Sequence, residues 1–227
     1  MALVKARLVV RGYEQAFTDT LTSSPTPSLT TLLTLLTLAV STDLVINTGD
    51  VSTAFLHATL NEDVFVLPPP ELVGTDHCPT GYCWKLQKAL YGLRGAPLAW
   101  NRHLSTVLTE ELKFKRCSTD SCLYVHSNEK TKAKMYLLLY VDDLLPLSET
   151  TADSDWFFTE LGKRVLLKHT GTLSPDSSLR FLGRHLTHRG DNILVQSLPN
   201  FIDGILQLYN LTDAKPLTTT GFTLIKR

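Results

Sequence analysis

Two adjacent acids, Asp142 and Asp143, interrupt an apolar stretch that reads MYLLLYV before them and LLPL after them. Burying two ionised carboxylates without partners is costly, so the pair must sit at a turn and face water or cations. Alone, an Asp-Asp pair between two strands reads as a solvated turn. A third acid changes that weighting. Asp50 closes another apolar run, DLVINTG, and VSTAFLHA follows it. If the two strands lie side by side, three carboxylates converge and repel one another unless divalent cations neutralise them. Hard, all-oxygen ligands favour magnesium or manganese. Phosphoryl transfer assisted by two metal ions needs such a cluster: one ion activates an attacking hydroxyl and the other steadies the leaving group.

The elements that must position these acids follow from periodicity and turn chemistry. Lys5–Val10 alternates long basic and apolar residues, which predicts a strand with Lys5, Arg7 and Val9 on one face and Arg11 continuing it. SSPTPS is a loop, and Ser28 is placed to cap a helix over Leu29–Val40. Asp43–Asp50 and Val64–Leu67 read as strands, the second stopped by Pro68–Pro70. Pro97 opens a helical stretch to Leu112, with Leu98, Leu104, Val107, Leu108 and Leu112 at helical spacing. Cys122–His126 and Met135–Val141 read as strands joined by a polar loop, and Leu144–Leu147 returns from a tight turn at Val141–Asp143. A helix is expected over Thr150–Gly162, then strands near Val165–His169, Arg180–Leu186 and Ile193–Gln196, and a closing helix over Leu198–Tyr209. This order predicts an α+β fold whose helices pack on one face of the sheet.

A chain of 227 residues with 43% hydrophobic and 19% charged residues can bury a sizeable core, and it is not disordered in composition. Formal net charge is zero, yet Lys85, Lys88, Arg94, Arg102, Lys113, Lys115 and Arg116 gather in one stretch against Glu110 and Glu111. Such a local basic surface can hold a phosphate backbone while acids elsewhere cancel the total. The start, MALVKARLVVRGYEQ, lacks the apolar core of a signal peptide, and Leu29–Val40 is too short for a membrane span. The expectation is an intracellular protein, in a cytoplasmic particle or the nucleus, with no membrane partner. Cys78, Cys83, Cys117 and Cys122 read as free thiols. The alternative is a zinc-stabilised interaction module, although their spacing is looser than that of zinc knuckles.

The blocks KARLVVRGYEQ, DVSTAFLHATLNEDVFVLPPP, WKLQKALYGLRGAPLAWN and YVDDLL stand in the order and spacing of copia-type retrotransposon reverse transcriptases. RFLGRHL and LVQSLPNFIDGILQLYNLTDAKPLTT resemble that family's primer-grip region and the start of its thumb. The resemblance implies a fingers–palm fold over 1–197, with an antiparallel palm sheet, and a truncated thumb over 198–227. It implies RNA-directed DNA synthesis with two Mg2+ or Mn2+ ions, an RNA or DNA template with primer, and dNTPs. Asp50, Asp142 and Asp143 correspond to the family's catalytic carboxylates, and Val51 to a residue offering its carbonyl to a metal. Phe55 corresponds to the bulky residue that blocks a ribose 2′-hydroxyl, though it also suits a core position. Val141 lies near the nucleotide sugar, and Lys5 and Arg7 near the triphosphate. Trp100 and His57 are expected to be structural.

Several positions depart from the family. Gly95 stands where a glutamine helps hold the nucleotide. Gly49 replaces a large apolar residue before the first Asp, at a cost of about 0.5–1 kcal/mol. Pro146 cannot donate a ladder hydrogen bond in the strand leaving Asp143. The chain is expected to begin inside the fingers and to lack the integrase and ribonuclease H regions. These departures support a second reading, a catalytically inactive fold that binds nucleic acid weakly.

Overall fold

The computed structural model describes residues 7–15 and 22–215. Among the described residues there are eleven strands and four α-helices. They are α1 (Leu29–Thr42), β1 (Val45–Val51), β2 (Phe65–Val66), β3 (Trp84–Lys85), α2 (Ala96–Thr106), β4 (Lys115–Arg116), β5 (Leu123–Ser127), β6 (Lys134–Tyr140), β7 (Asp143–Ser148), α3 (Thr151–Gly162), β8 (Leu167–Thr172), β9 (Ser178–Phe181), β10 (Arg184–Arg189), β11 (Asn192–Ser197) and α4 (Pro199–Leu208). Every strand pairing is antiparallel, in a six-stranded sheet ordered β4-β5-β6-β7-β1-β8, a three-stranded sheet β11-β10-β9 and a short β2-β3 ribbon.

The central strands of the large sheet are buried on both faces, because successive side chains of β6 and β7 feed different cores. Met135, Leu137, Leu139 and Leu144 join α2 and α3 through Trp100, Leu104, Phe157 and Leu161. Leu138, Leu145 and Leu147 meet α1 through Leu32, Leu35, Leu36 and Ala39, with Phe181 and Leu186 of the small sheet alongside. Helices thus cover both faces, not one. The expectation erred because α1 has its own apolar stripe and takes the face that α2 and α3 leave open. Among the described residues no helix is long and apolar enough to cross a membrane.

Most elements lie where periodicity places them. Ser28 caps α1, its hydroxyl accepting the Thr31 amide at 2.9 Å. Three expectations need correction. Arg7–Val10 form no strand; one bond, Val10 N–H to the Tyr91 carbonyl at 2.8 Å, ties this segment to a loop and no ladder develops. The single strand expected over Arg180–Leu186 is the hairpin β9-β10, turning at Leu182 and Gly183, both with positive φ as a type I′ turn requires. The helix from Pro97 ends its α-helical part at Thr106 and continues as a π turn over Val107–Glu111.

The two backbone departures inside the large sheet are accommodated. A Cβ built on Gly49 would lie 2.9 Å from Phe158 Cε1, so the Phe158 ring fills the space of a larger residue. Pro146 pairs with Leu137 on β6, and the β1–β7 register, continuous at Val45↔Ser148 and Ile46↔Leu147, resumes only at Gly49↔Leu144. The break falls opposite the proline, which has no N–H to offer β1.

Candidate metal centre

Antiparallel pairing brings the three acids together. Asp50 stands opposite Asp143 across β1 and β7, and Tyr140 pairs with Asp143 to close the β6–β7 hairpin. The turn between them is the dipeptide Val141-Asp142. Asp50, Asp142 and Asp143 are half-buried and each offers an oxygen within 4.8 Å of the others. Among the described residues this is the one group of three or more acids, histidines or cysteines so arranged. All four cysteines are free thiols, and no zinc ligand set forms from them.

Electrostatics mark the cluster as uncompensated. Burial, then the Asp142 and Asp50 charges, pushes the Asp143 carboxyl up to about 6. Burial also raises Asp142, with Asp50 adding to the rise, while a backbone hydrogen bond and Arg7 oppose it. Carboxylates crowded until they resist ionisation are a donor set that a hard divalent cation would satisfy. Lys168 stands opposite Asp50 on β8, bringing a cation to the far side of that strand.

The turn itself is strained. Val141 has φ +52, a region where a β-branched residue is an outlier costing about 1–3 kcal/mol. Two bonds hold it: Trp100 Nε1–H donates to the Val141 carbonyl at 2.6 Å, and Val51 N–H donates to the Asp142 carbonyl at 2.9 Å. Trp100 is fully buried, as expected of a core residue, but its indole reaches the hairpin that carries the acids. His57 is structural in its contacts, its ring nitrogen accepting the Leu166 amide at 3.4 Å.

Beside the acids lies an aromatic wall. The Arg7 guanidinium sits 5.3 Å from the Tyr91 ring centroid, and Tyr91 meets Phe55 edge-on at 4.9 Å. Phe55 is half-buried and packs on the core. Arg7 is held there because its segment lies against residues 91–94. Arg94 Nε–H donates to the Gly12 carbonyl at 3.0 Å, and a Cβ on Gly12 or Gly92 would overlap the other segment's backbone. Lys5 lies outside the described residues. Gly95 caps α2 with helical φ −79, and a Cβ there would meet nothing within 4 Å. The sequence reading missed Tyr91, Lys168 and the Trp100 bond; each becomes visible only when distant segments dock.

A mixed fold with antiparallel sheets and a carboxylate triad shared between a hairpin and its neighbouring strand defines a class, and the comparisons agree with it. The chain belongs to the family described as reverse transcriptase (RNA-dependent DNA polymerase), whose model matches residues 2–222. Its branch is the copia type, the Pol polyproteins of LTR transposons. The chain is 32% identical over 229 residues to the retrovirus-related Pol polyprotein from transposon TNT 1-94 of Nicotiana tabacum, covering 95% of this chain and 16% of that protein. It is 34% identical over 217 residues to the corresponding polyprotein from transposon RE1 of Arabidopsis thaliana, covering 95% of this chain and 14% of that one. The Ty1-NL2 Gag-Pol polyprotein of Saccharomyces cerevisiae matches at 28% over 180 residues, 78% of this chain and 10% of its own length. The chain therefore spans a small part of the relatives it matches.

Proposed function

We propose that this chain is the nucleotide-adding core of a copia-type Pol polyprotein, extending a primer on an RNA or DNA template with dNTPs. The observation that carries the reading is the convergence of Asp50, Asp142 and Asp143 within 4.8 Å. Residues 1–197 are read as fingers and palm, with the large sheet as the palm, and 198–227 as the start of the thumb. Asp50, Asp142, Asp143 and the Val51 carbonyl would hold two divalent ions, Mg2+ or Mn2+, which supply activation of the primer hydroxyl and neutralisation of phosphate charge. Arg7 would face the triphosphate, and Val141 and Phe55 the sugar; a triphosphate role is read for Lys5 from the sequence alone. The hairpin carries Asp142 and Asp143 within reach of Asp50 on the neighbouring strand.

A second reading, a fold without catalysis, is favoured by Gly95, where no side chain is present to touch a nucleotide. Primer extension on an RNA template with Mg2+ tests both readings. The chain as written is expected to extend slowly, with Asp142→Asn abolishing the signal. Gly95→Gln, which has open space to occupy, should speed extension by roughly tenfold, about 1.4 kcal/mol of barrier. Calorimetry giving the same Mn2+ binding for wild type and the triple Asp→Asn variant would remove the shared metal site. Primer binding without extension in both Gly95 forms would leave the non-catalytic reading standing.

A further inference from the structure

We propose that Trp100 is a positioning residue that selects the turn conformation presenting Asp142 to the metal centre; this rests on the metal-site reading above. The β6–β7 hairpin closes at Tyr140↔Asp143 with two residues between. Two-residue hairpins use type I′ turns, with positive φ at both central residues, or type II′, with positive φ at the first alone. Val141 has φ +52, whereas Asp142 is not among the residues with positive φ, so the turn is type II′. The two types interconvert by rotating the central peptide, which consists of the Val141 carbonyl and the Asp142 amide. That carbonyl is the group Trp100 Nε1–H grips at 2.6 Å.

The sequence does not favour this turn unaided. Type II′ calls for glycine at its first central position, and valine supplies none of glycine's freedom. The bond to Trp100 opposes rotation of the peptide, and a fully buried indole N–H needs an acceptor. Helix α2 thus reaches through the core to fix the backbone from which the Asp142 side chain leaves. A rotated peptide would change φ of Asp142, and with it the direction in which its side chain leaves towards Asp50 and Asp143.

Trp100→Phe keeps an aromatic ring and removes the N–H. One neutral hydrogen bond in such a balance shifts it by about two- to tenfold. Mn2+ titration calorimetry should therefore show three- to tenfold weaker binding in Trp100→Phe, in a protein that still melts cooperatively. Val141→Gly makes the turn self-sufficient, so in that background the same substitution should weaken binding by less than twofold. Equal losses in both backgrounds would assign the effect to changed packing around the ring and overturn the proposal, as would unchanged binding. If Trp100→Phe fails to fold, benzothienylalanine at position 100 replaces N–H by sulfur at almost constant shape and carries the same expectation. Crystal structures of both proteins without metal give a readout independent of the metal reading: the Val141–Asp142 peptide should be rotated in the variant, and superposition of the two turns would overturn the proposal. Wild-type protein showing no Asp142-dependent Mn2+ binding would refute the metal centre, while the peptide orientation would still decide the role of Trp100.

Discussion

With burial and two neighbouring carboxylates holding Asp143 up to about 6, against an ordinary 3.8, the folded chain without metal keeps a proton that the unfolded chain has released. Between those values the folded state binds more protons, so this residue adds stability as pH falls from above 6 towards 4 and withdraws it as pH rises. Melting of metal-free wild type, compared with Asp143→Asn between pH 7.5 and 4.5, should show a larger rise on acidification than the variant, which keeps only the smaller part due to Asp142. Parallel curves would mean that the acid is not under strain. On the proposed reading, sugar choice belongs to the residue scale too. Tyr91 meets Phe55 edge-on at 4.9 Å and restrains its plane, and such aromatic pairs contribute about 0.5–1.5 kcal/mol. Phe55→Val should admit ribonucleotides, and Tyr91→Leu should do so partially by freeing the ring. Single-nucleotide extension with dNTP and matching rNTP reads this. A Tyr91→Leu ratio equal to wild type would confine Tyr91 to packing.

Among the elements, legibility follows how local the cause is. The β6–β7 hairpin and its acids stand out in the sequence because charge breaks an apolar run, and α1 because Ser28 precedes a leucine-rich stripe. The β9–β10 turn was missed since Leu182 at φ +51 is not a residue that advertises a turn; the small sheet's packing imposes it. Tyr91 and Trp100 act through partners 36 and 41 residues away, and no spacing rule encodes that. The tie between α1 and the β4–β5 turn is equally invisible. The Asp120 carboxylate accepts Thr31 Oγ1–H at 2.6 Å, Cys122 N–H at 2.9 Å and Ser28 N–H at 3.1 Å. Burial pushes this carboxyl up, but the hydrogen bonds outweigh it and hold the pKa below the usual value. Its contribution is therefore present above the unfolded-state pKa and fades as pH falls through the lower folded one. Asp120→Ala should cost about 1–3 kcal/mol by urea unfolding at pH 7, with the difference shrinking in acid. A loss under 0.5 kcal/mol, on the scale of an ordinary surface change, would show that α1 is held by its apolar face alone.

At the scale of the whole molecule, the carboxylate triad belongs to the sheet, but Arg7, whose charge reaches Asp142, belongs to a segment attached from outside. Residues 7–15 join the rest through the Val10–Tyr91 backbone bond, the Arg94–Gly12 bond and the Arg94 amide to Gln15 Oε1 at 3.3 Å. Gly12 and Gly92 permit this approach by having no side chains; Gly92 also needs its φ of +89. Gly12→Ala should therefore separate the two segments, withdrawing the partly buried Val10 from the edge of the core while the fully buried residues stay in place. Arg7 would lose its place over Tyr91 and its influence on Asp142. The expected result is a melting temperature within a few degrees of wild type and Mn2+ binding that still depends on Asp142. Binding of a dNTP in the presence of Mn2+ should weaken by roughly tenfold, the scale of one charge-assisted contact to phosphate. Arg7→Ala should weaken it to a similar degree, and the double variant should be no worse than either single one, because both remove the same contact. Additive losses would mean that the segment contributes through some residue other than Arg7. Unchanged dNTP binding in a folded Gly12→Ala protein would detach the segment from the nucleotide site altogether and leave the triad and its aromatic wall to hold the substrate.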